Sequence, residues 1–311
     1  MQTRGKVVLV GVLDKFGSTN IYMAKAFQKA GFDVVPVNYR TILAQHGPNT
    51  LRHVIFRLAE TKPQLMLFSK CNGFTSDTIG RCNKHSQTWW WFMDGMNTLN
   101  SIPEVMGHAQ LADHASCTGF GVAAFIKKQL GGQKEIHHIM EGIDPEVYRP
   151  TVVMEDMQAE ISFIGTNNAE RHHYLNLLAT AGFDVAAYGQ GFNREVHGSE
   201  FNKVCTSSKS MLALSVEHST EGYFSDRVFR YGACGSMVLH KYSPRMEKYF
   251  QNGHDIVFWH DDESLLQVAQ HYLRQEPETV RETIGHNLYK KVLANHTWDN
   301  VVRDICSVCG I

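Results

Sequence analysis

Residues 6–39 read KVVLVGVLDKFGSTNIYMAKAFQKAGFDVVPVNY, and they decide the fold. Lys6–Val12 is a near-continuous apolar run, the pattern of a strand covered on both faces. A polar turn containing Asp14, Gly17 and Ser18 follows. Ile21–Gly31 then sets its apolar residues on one helical face, with Gly31 suited to the C-cap. Phe32–Tyr39 is a second β run. Strand, crossover helix and strand together make one βαβ unit.

The alternation continues outward through QLMLFSK (64–70), TWWWFMD (88–94) and HASCTG (114–119). It restarts with EISFIGT (160–166), the helix AERHHYLNLLATAG (169–182) and FDVAAYG (183–189). MLALSV (211–216), SMVLHKY (236–242) and DIVFWH (255–260) supply more strands, and helices 261–275 and 277–296 follow. AGFDVVPV (30–37) is echoed by AGFDVAAY (181–188), which is shared helix-to-strand grammar and not proof of a repeat. EGIDPEVYRPTVVMEDMQAE (141–160), with its prolines and acids, breaks the pattern. The expectation is an α/β chain of two Rossmann-like, doubly wound domains around a central cleft. They span 1–150 and 151–311, with the last helices packing back on the first. Ligands of such sheets sit at the carboxyl ends of the strands.

Composition narrows the function. The chain has 311 residues, 43% hydrophobic and 20% charged, with a formal net charge of −1. Up to Pro150 there are 16 Lys+Arg against 11 Asp+Glu, and beyond it 14 against 20, so the halves carry +5 and −6. A mildly basic first half is compatible with an anionic acceptor or with a solvated surface. No apolar run spans a bilayer, the first residues lead into a strand, and seven scattered cysteines suit the cytoplasm. Cys306 and Cys309 lack a second pair for zinc and read as free thiols on a fraying tail. The paired histidines of EIHHIME and ERHHYL do not face together, no Asp-x-Asp occurs, and HDDES reads as a helix N-cap; no metal is expected.

SDRVFRYGACGSMVL (225–239) carries the chemistry. Ser225 or Asp226 can cap a helix whose first turns hold Arg227 and Arg230. Cations there oppose the macrodipole, so an anion such as a diphosphate is expected nearby. The bland alternative is one arginine paired with an acid such as Glu221 and the other solvated. Three glycine-bearing turns follow strands: VEHSTEGYFSDR with Glu221, Gly222 and Tyr223; FIGTNNAER with Gly165 and Arg171; and YGQGF with Gly189. Together they favour a nucleotide.

The block from Ser225 to Trp298 resembles the C-terminal domain of GT-B-fold glycosyltransferases, especially the group of CgeB-like proteins. The matching stretches are SDRVFRYGACGSMVL, MEKYFQNGHDIVFWHDDESLLQVAQHYL and RETIGHNLYKKVLANHTW, the last ending in His296, Thr297 and Trp298. SFIGTNNAER, VAAYGQG and MEGIDPEVYRP extend the likeness upstream. The resemblance implies a nucleotide-sugar donor, UDP- or GDP-linked, along the second domain, with no cofactor and no metal. Related enzymes carry two acids, one near the donor sugar and one near the ribose. Glu221 fits the first with one extra residue of spacing, while Arg230 occupies the second. A guanidinium only donates, so ribose recognition departs from the pattern.

Asp94, in WWWFMDGM, is placed either as the base that takes the acceptor's proton or as the cap of the turn at Gly95. Asp14, Gly17 and Ser18 contact phosphate or acceptor, or form a plain turn. Trp89–Trp91 form a strand core with one outward ring, or a stacking platform for a base or sugar. The reading is a metal-independent hexosyl- or pentosyltransferase acting on a hydroxyl of a glycan, protein, metabolite or hydroxylated DNA base. The alternatives are a nucleotide-sugar-binding module without turnover and an epimerase of the same fold.

Overall fold

Val7–Val10 in the first strand, β1 (Gly5–Gly11), are wholly buried, as a strand with helices on both faces requires. The computed structural model describes residues 3–15 and 17–311. Helix α1 (Thr19–Lys29) leads to β2 (Phe32–Asn38), and α2 (Tyr39–Glu60), kinked at Gly47–Pro48, leads to β3 (Leu65–Ser69). Next come α3 (Asp77–Cys82), β4 (Gln87–Phe92), α4 (Met96–Leu99), α5 (Val105–Leu111), β5 (His114–Cys117), α6 (Phe120–Gln129) and β6 (Ile136–His138). The six strands are parallel in the order β2-β1-β3-β4-β5-β6. Pro36 lies on the edge strand β2, where a missing N–H costs no ladder bond. Strand order reverses between β1 and β3, so that is the switch point of this sheet.

The second sheet is built from β7 (Ala159–Ile164), α7 (Ala169–Thr180), β8 (Val185–Tyr188), α8 (Ser199–Ser207) and β9 (Ser208–Ala213). Helix α9 (Arg227–Ala233), β10 (Val238–Lys241), β11 (Val257–Trp259), α10 (Asp262–Gln270) and α11 (Glu278–Asn295) complete it. Its parallel order is β11-β10-β9-β7-β8, with the switch point between β7 and β9. Asp261 caps α10 in a reciprocal capping box with Ser264, as HDDES suggested. The last helix, α12 (Trp298–Cys309), packs on α1.

The chain forms two compact units. One comprises Met1–Gly142, Thr220–Tyr223 and Trp298–Ile311; the other comprises Ile143–Ser219 and Phe224–Thr297.

Two expectations change. The three tryptophans of β4 are all fully buried, with no outward ring. Trp91 meets Trp298 of α12 at 5.8 Å, Trp89 stacks on His114 and His137, and Trp90 faces Phe92 and His108 on the opposite side. A platform for a base needs an exposed ring face, and none is offered here. Cys306 and Cys309 are not on a fraying tail. They are free thiols buried on the docked face of α12, and burial pushes the Cys309 thiol up to about 12.

Candidate functional site

The switch point of the second sheet holds two arginines. β7 ends at Ile164, and Asn168 caps α7 by accepting the Arg171 N–H at 2.9 Å. Arg171, only 5% exposed, folds back: Nη1 donates to the Thr166 carbonyl at 2.6 Å and Nη2 to the Leu214 carbonyl at 3.3 Å. Arg227 comes from α9 and reaches the same place. Its Nε donates to the Ile164 carbonyl at 2.8 Å and its Nη1 to the Leu214 carbonyl at 2.7 Å. Both guanidiniums flank the buried Phe163 ring, at 5.4 and 5.2 Å from its centre. Carbonyls at a strand's carboxyl end are unpaired acceptors, so these donors both complete the backbone and place two positive charges at the switch point.

Gly165 and Gly189 leave room for this. A Cβ on Gly165 would stand 2.6 Å from Arg227 Nη2 and 2.9 Å from the Phe163 ring. Gly189 has φ of +118°, and a Cβ there would collide with the Gly165 carbonyl oxygen. Tyr231, one turn beyond Arg227, accepts the Ile164 N–H at 2.9 Å and donates to the Ile164 carbonyl at 3.2 Å. Arg171, Arg227, Tyr231 and the close approach of Gly189 therefore fix the Ile164–Thr166 turn.

The start of α9 differs from expectation. Ser225 supplies the cap-like bond, its Oγ accepting the Arg227 N–H at 3.3 Å, while Asp226 makes no side-chain cap bond. The helix has seven residues, so Arg230 stands in its last turn, where a cation suits the dipole. Arg230 forms an ion pair with Asp226 one turn earlier and lies 5.3 Å from the Tyr148 ring centre. The two arginines thus do not form a joint pair of cations at a helix start. The arginine beside Arg227 is Arg171, which shares the Leu214 carbonyl with it, and Arg230 is held by its own acid.

Sequence reasoning missed three groups beside this crevice. Lys241, at the end of β10, donates to Glu170 at 2.6 Å and to the Tyr174 hydroxyl at 2.8 Å. Burial would lower its pKa, but those two partners raise it on balance. His218, in the loop after β9, and His240, on β10, meet with ring centres 5.8 Å apart. Burial leads the causes that lower His218 to about 4 and His240 to about 3. The signal was present as a histidine at the carboxyl end of one strand and another in the loop after its neighbour.

The residues Glu221, Gly222 and Tyr223 belong to the first unit. The Glu221 carbonyl accepts the Gly121 N–H at 2.9 Å, Gly222 lies against the Phe120 ring, and Tyr223 lies against Gly119. At the carboxyl ends of the first sheet, Asp94 pairs with Lys70 at 2.7 Å. Asp94 makes no cap bond to α4, whose N-cap is Gly95. Lys70 and Cys71 both have φ of +59°, left-handed conformations that cost non-glycine residues about 1–2 kcal/mol each. Asp14 accepts from Thr41 at 2.7 Å, and this bond, with one to Asn38, lowers its pKa. Gly17 turns the loop at φ of +75°, and Ser18 donates its hydroxyl to the Val12 carbonyl at 2.5 Å. Asp14 and Ser18 therefore brace the first loop.

A family model described as glycosyl transferase-like matches residues 152–307, just over half of the chain. The chain belongs to that glycosyl transferase-like family. No curated protein sequence matches the glycosyltransferase. Its whole length is similar to solved structures, at identities that show the fold alone. HepE from Anabaena, in complex with UDP-glucose, is 10% identical with a TM-score of 0.71, over 99% of this chain and 100% of that one. Sucrose-phosphate synthase from Thermosynechococcus elongatus is 12% identical with a TM-score of 0.71, over 98% of each chain. An alpha-glucosyltransferase in complex with UDP-glucose and DNA containing an abasic site is 10% identical with a TM-score of 0.70, over 99% of this chain and 100% of that one. The glycosyltransferase has the GT-B fold, two parallel α/β sheets of six and five strands. No helix among its described residues is long and apolar enough to cross a membrane.

Proposed function

We propose that this glycosyltransferase moves a hexose or pentose from a UDP- or GDP-linked donor to a hydroxyl acceptor, with the donor's diphosphate seated at the β7–β9 switch point. The observation that carries the reading is the arginine pair. Arg171 and Arg227 are anchored on three carbonyls there, and Arg227 Nη2 has no partner among the described residues. A diphosphate leaving group gathers charge as the anomeric C–O bond breaks, and fixed cations in a partly buried crevice stabilise that charge. These cations take the place a metal ion has in other transferases, so turnover is expected to be unaffected by EDTA. Gly165, Arg171, Gly189, Ser225 and Arg227 are the donor-binding set in the second unit. Glu221, Gly222 and Tyr223 are assigned to the donor sugar from the likeness stated above. Arg230 supports Asp226 and is assigned no direct phosphate contact.

Asp94 is the proposed base in the first unit, held by Lys70, with Asp14, Gly17 and Ser18 shaping the neighbouring loop. Two acceptor classes stand. One is a hydroxyl of a glycan, protein or small metabolite. The other is a hydroxylated base in DNA, favoured by the +5 balance of the first 150 residues and by the DNA bound to one structural neighbour. A thermal-shift screen of nucleotide sugars tests the donor, since ligand binding raises the melting temperature by linkage. Donor hydrolysis then separates a transferase from a module that only binds, and an isomerised donor would reveal an epimerase. No shift with any nucleotide sugar would end the reading.

A further inference from the structure

Two buried ring nitrogens remain unexplained by the backbone around them. Nε2 of His218 and Nε2 of His240 are both buried, and neither has a hydrogen-bond partner among the described residues. Native proteins leave few such groups unpaired, and each one calls for a ligand, a water or a chemical role. The tautomer of His240 follows from its other nitrogen. Nδ1 faces the carbonyl of Lys241 and so carries the proton, which leaves Nε2 as a bare lone pair in a fully buried side chain. His218 is half-buried and sets its Nδ1 at 3.3 Å from the Ser243 hydroxyl.

The charged groups around the two rings belong to the switch-point crevice. His218 feels Glu170 and Arg171 of α7 and Lys241 of β10. His240 feels His218 from the loop after β9 and Arg227 from α9. The Phe224 ring stands nearly perpendicular to that of His240, with centres 6.3 Å apart. Burial leads in lowering both rings; Lys241 and Arg171 add to it at His218 against the pull of Glu170, and His218 and Arg227 add to it at His240. An anion lying on Arg171 and Arg227 cancels the repulsion from those two, and its own charge favours the imidazolium. Two histidines alone are not a metal site, and no group of three or more His, Cys, Asp or Glu side chains among the described residues is placed to hold one.

We propose that His218 and His240 act as one proton-accepting unit, taking up a proton when the diphosphate of a nucleotide sugar docks on Arg171 and Arg227. The inference rests on the donor-binding reading above. The resulting imidazolium adds its positive charge to those of Arg171 and Arg227 beside the leaving group, supplied only when the anion is present. It makes donor binding tighter as the solution becomes more acidic. The sign follows from linkage: the bound form holds one proton more than the free form between their two titration points.

The test is calorimetric titration of UDP-glucose and of GDP-mannose into the full chain at pH 6, in two buffers of different ionisation enthalpy. Sugar nucleotides are used because their doubly esterified diphosphate does not titrate in this range. The expected result is net proton uptake and an affinity about three- to tenfold higher at pH 5.5 than at pH 7.5. Both effects should vanish in His218→Asn, a loop position, and in His240→Asn. Equal heats in the two buffers with pH-independent affinity would overturn the inference while leaving donor binding intact. Uptake that persists in a folded His218→Asn variant would overturn it too. Absence of any binding to the wild-type chain would overturn the donor reading itself, and this inference with it.

Discussion

Arg171 and Arg227 donate to one and the same acceptor, the carbonyl oxygen of Leu214, at 3.3 and 2.7 Å. They arrive from different helices, α7 and α9, on either side of the β7–β9 switch point. Two like charges meeting on one carbonyl repel each other. The remaining bonds to Thr166 and Ile164 and the Phe163 ring hold them in place. An anion between them relieves the repulsion.

The two glycines of the turn fail in different ways. Gly165→Ala pushes its methyl into Arg227 Nη2, the far end of a flexible side chain, and against the Phe163 ring. The chain should fold while nucleotide-sugar affinity falls by about tenfold or more, read by calorimetry. Gly189→Ala places a methyl against the Gly165 backbone and forces an alanine to φ of +118°. That change should cost stability, by about 2 kcal/mol or more in urea unfolding.

Asp94→Asn should lower turnover by about 10²–10⁴-fold, the usual contribution of a positioned base, with donor affinity unchanged. Lys70→Met, which removes the cation 2.7 Å from Asp94, should lower turnover by less. Steady-state rates together with donor titration check this. Normal turnover in a folded Asp94→Asn variant would remove the base role.

Asp226 and Arg230 form a partly buried pair. Arg230→Ala leaves the carboxylate without its partner and should destabilise the fold by about 1–3 kcal/mol, while Asp226→Asn combined with Arg230→Gln should recover part of that. Denaturant unfolding of the three variants measures it. Donor affinity should change less in Arg230→Ala than in Arg227→Ala.

Stability should fall on acidification. His240 is lowered to about 3, and His218 and His296 to about 4, all with burial as the leading cause. Unfolded histidine titrates near 6.5, so between about 6.5 and 4 the unfolded chain binds more protons. The neutral rings' contribution is complete above that window and shrinks as the pH falls through it. The fully buried His240 changes stability by up to about 1.4 kcal/mol per pH unit there. Melting temperatures from pH 7.5 to 4.5 should drop for the wild type and drop less for His240→Asn.

Much of the fold was legible because its strands are apolar runs closed by glycine turns, as in KVVLVGV and EISFIGT. Two elements were hidden. Strand β6 is three residues of IHH at a sheet edge, too short and too polar to stand out. Helix α12 sits at the chain end, where Trp298, Val301, Val302, Ile305 and Cys309 recur at helical spacing and are buried. The site was legible only by type. Arg227 stands out beside its glycine turns, yet its acceptors Ile164 and Leu214 lie 63 and 13 residues away. The Lys70–Asp94 pair and the His218–His240 contact exist only once strands from distant segments lie side by side.

The central claim is that Arg227 binds the diphosphate of a nucleotide sugar. It is tested most directly by calorimetric titration of the donor that gives the largest thermal shift into wild type and Arg227→Ala. A charge-assisted bond to phosphate predicts a loss of about 1.5–3 kcal/mol, roughly ten- to 150-fold in affinity. Equal affinity in a folded Arg227→Ala chain would contradict it.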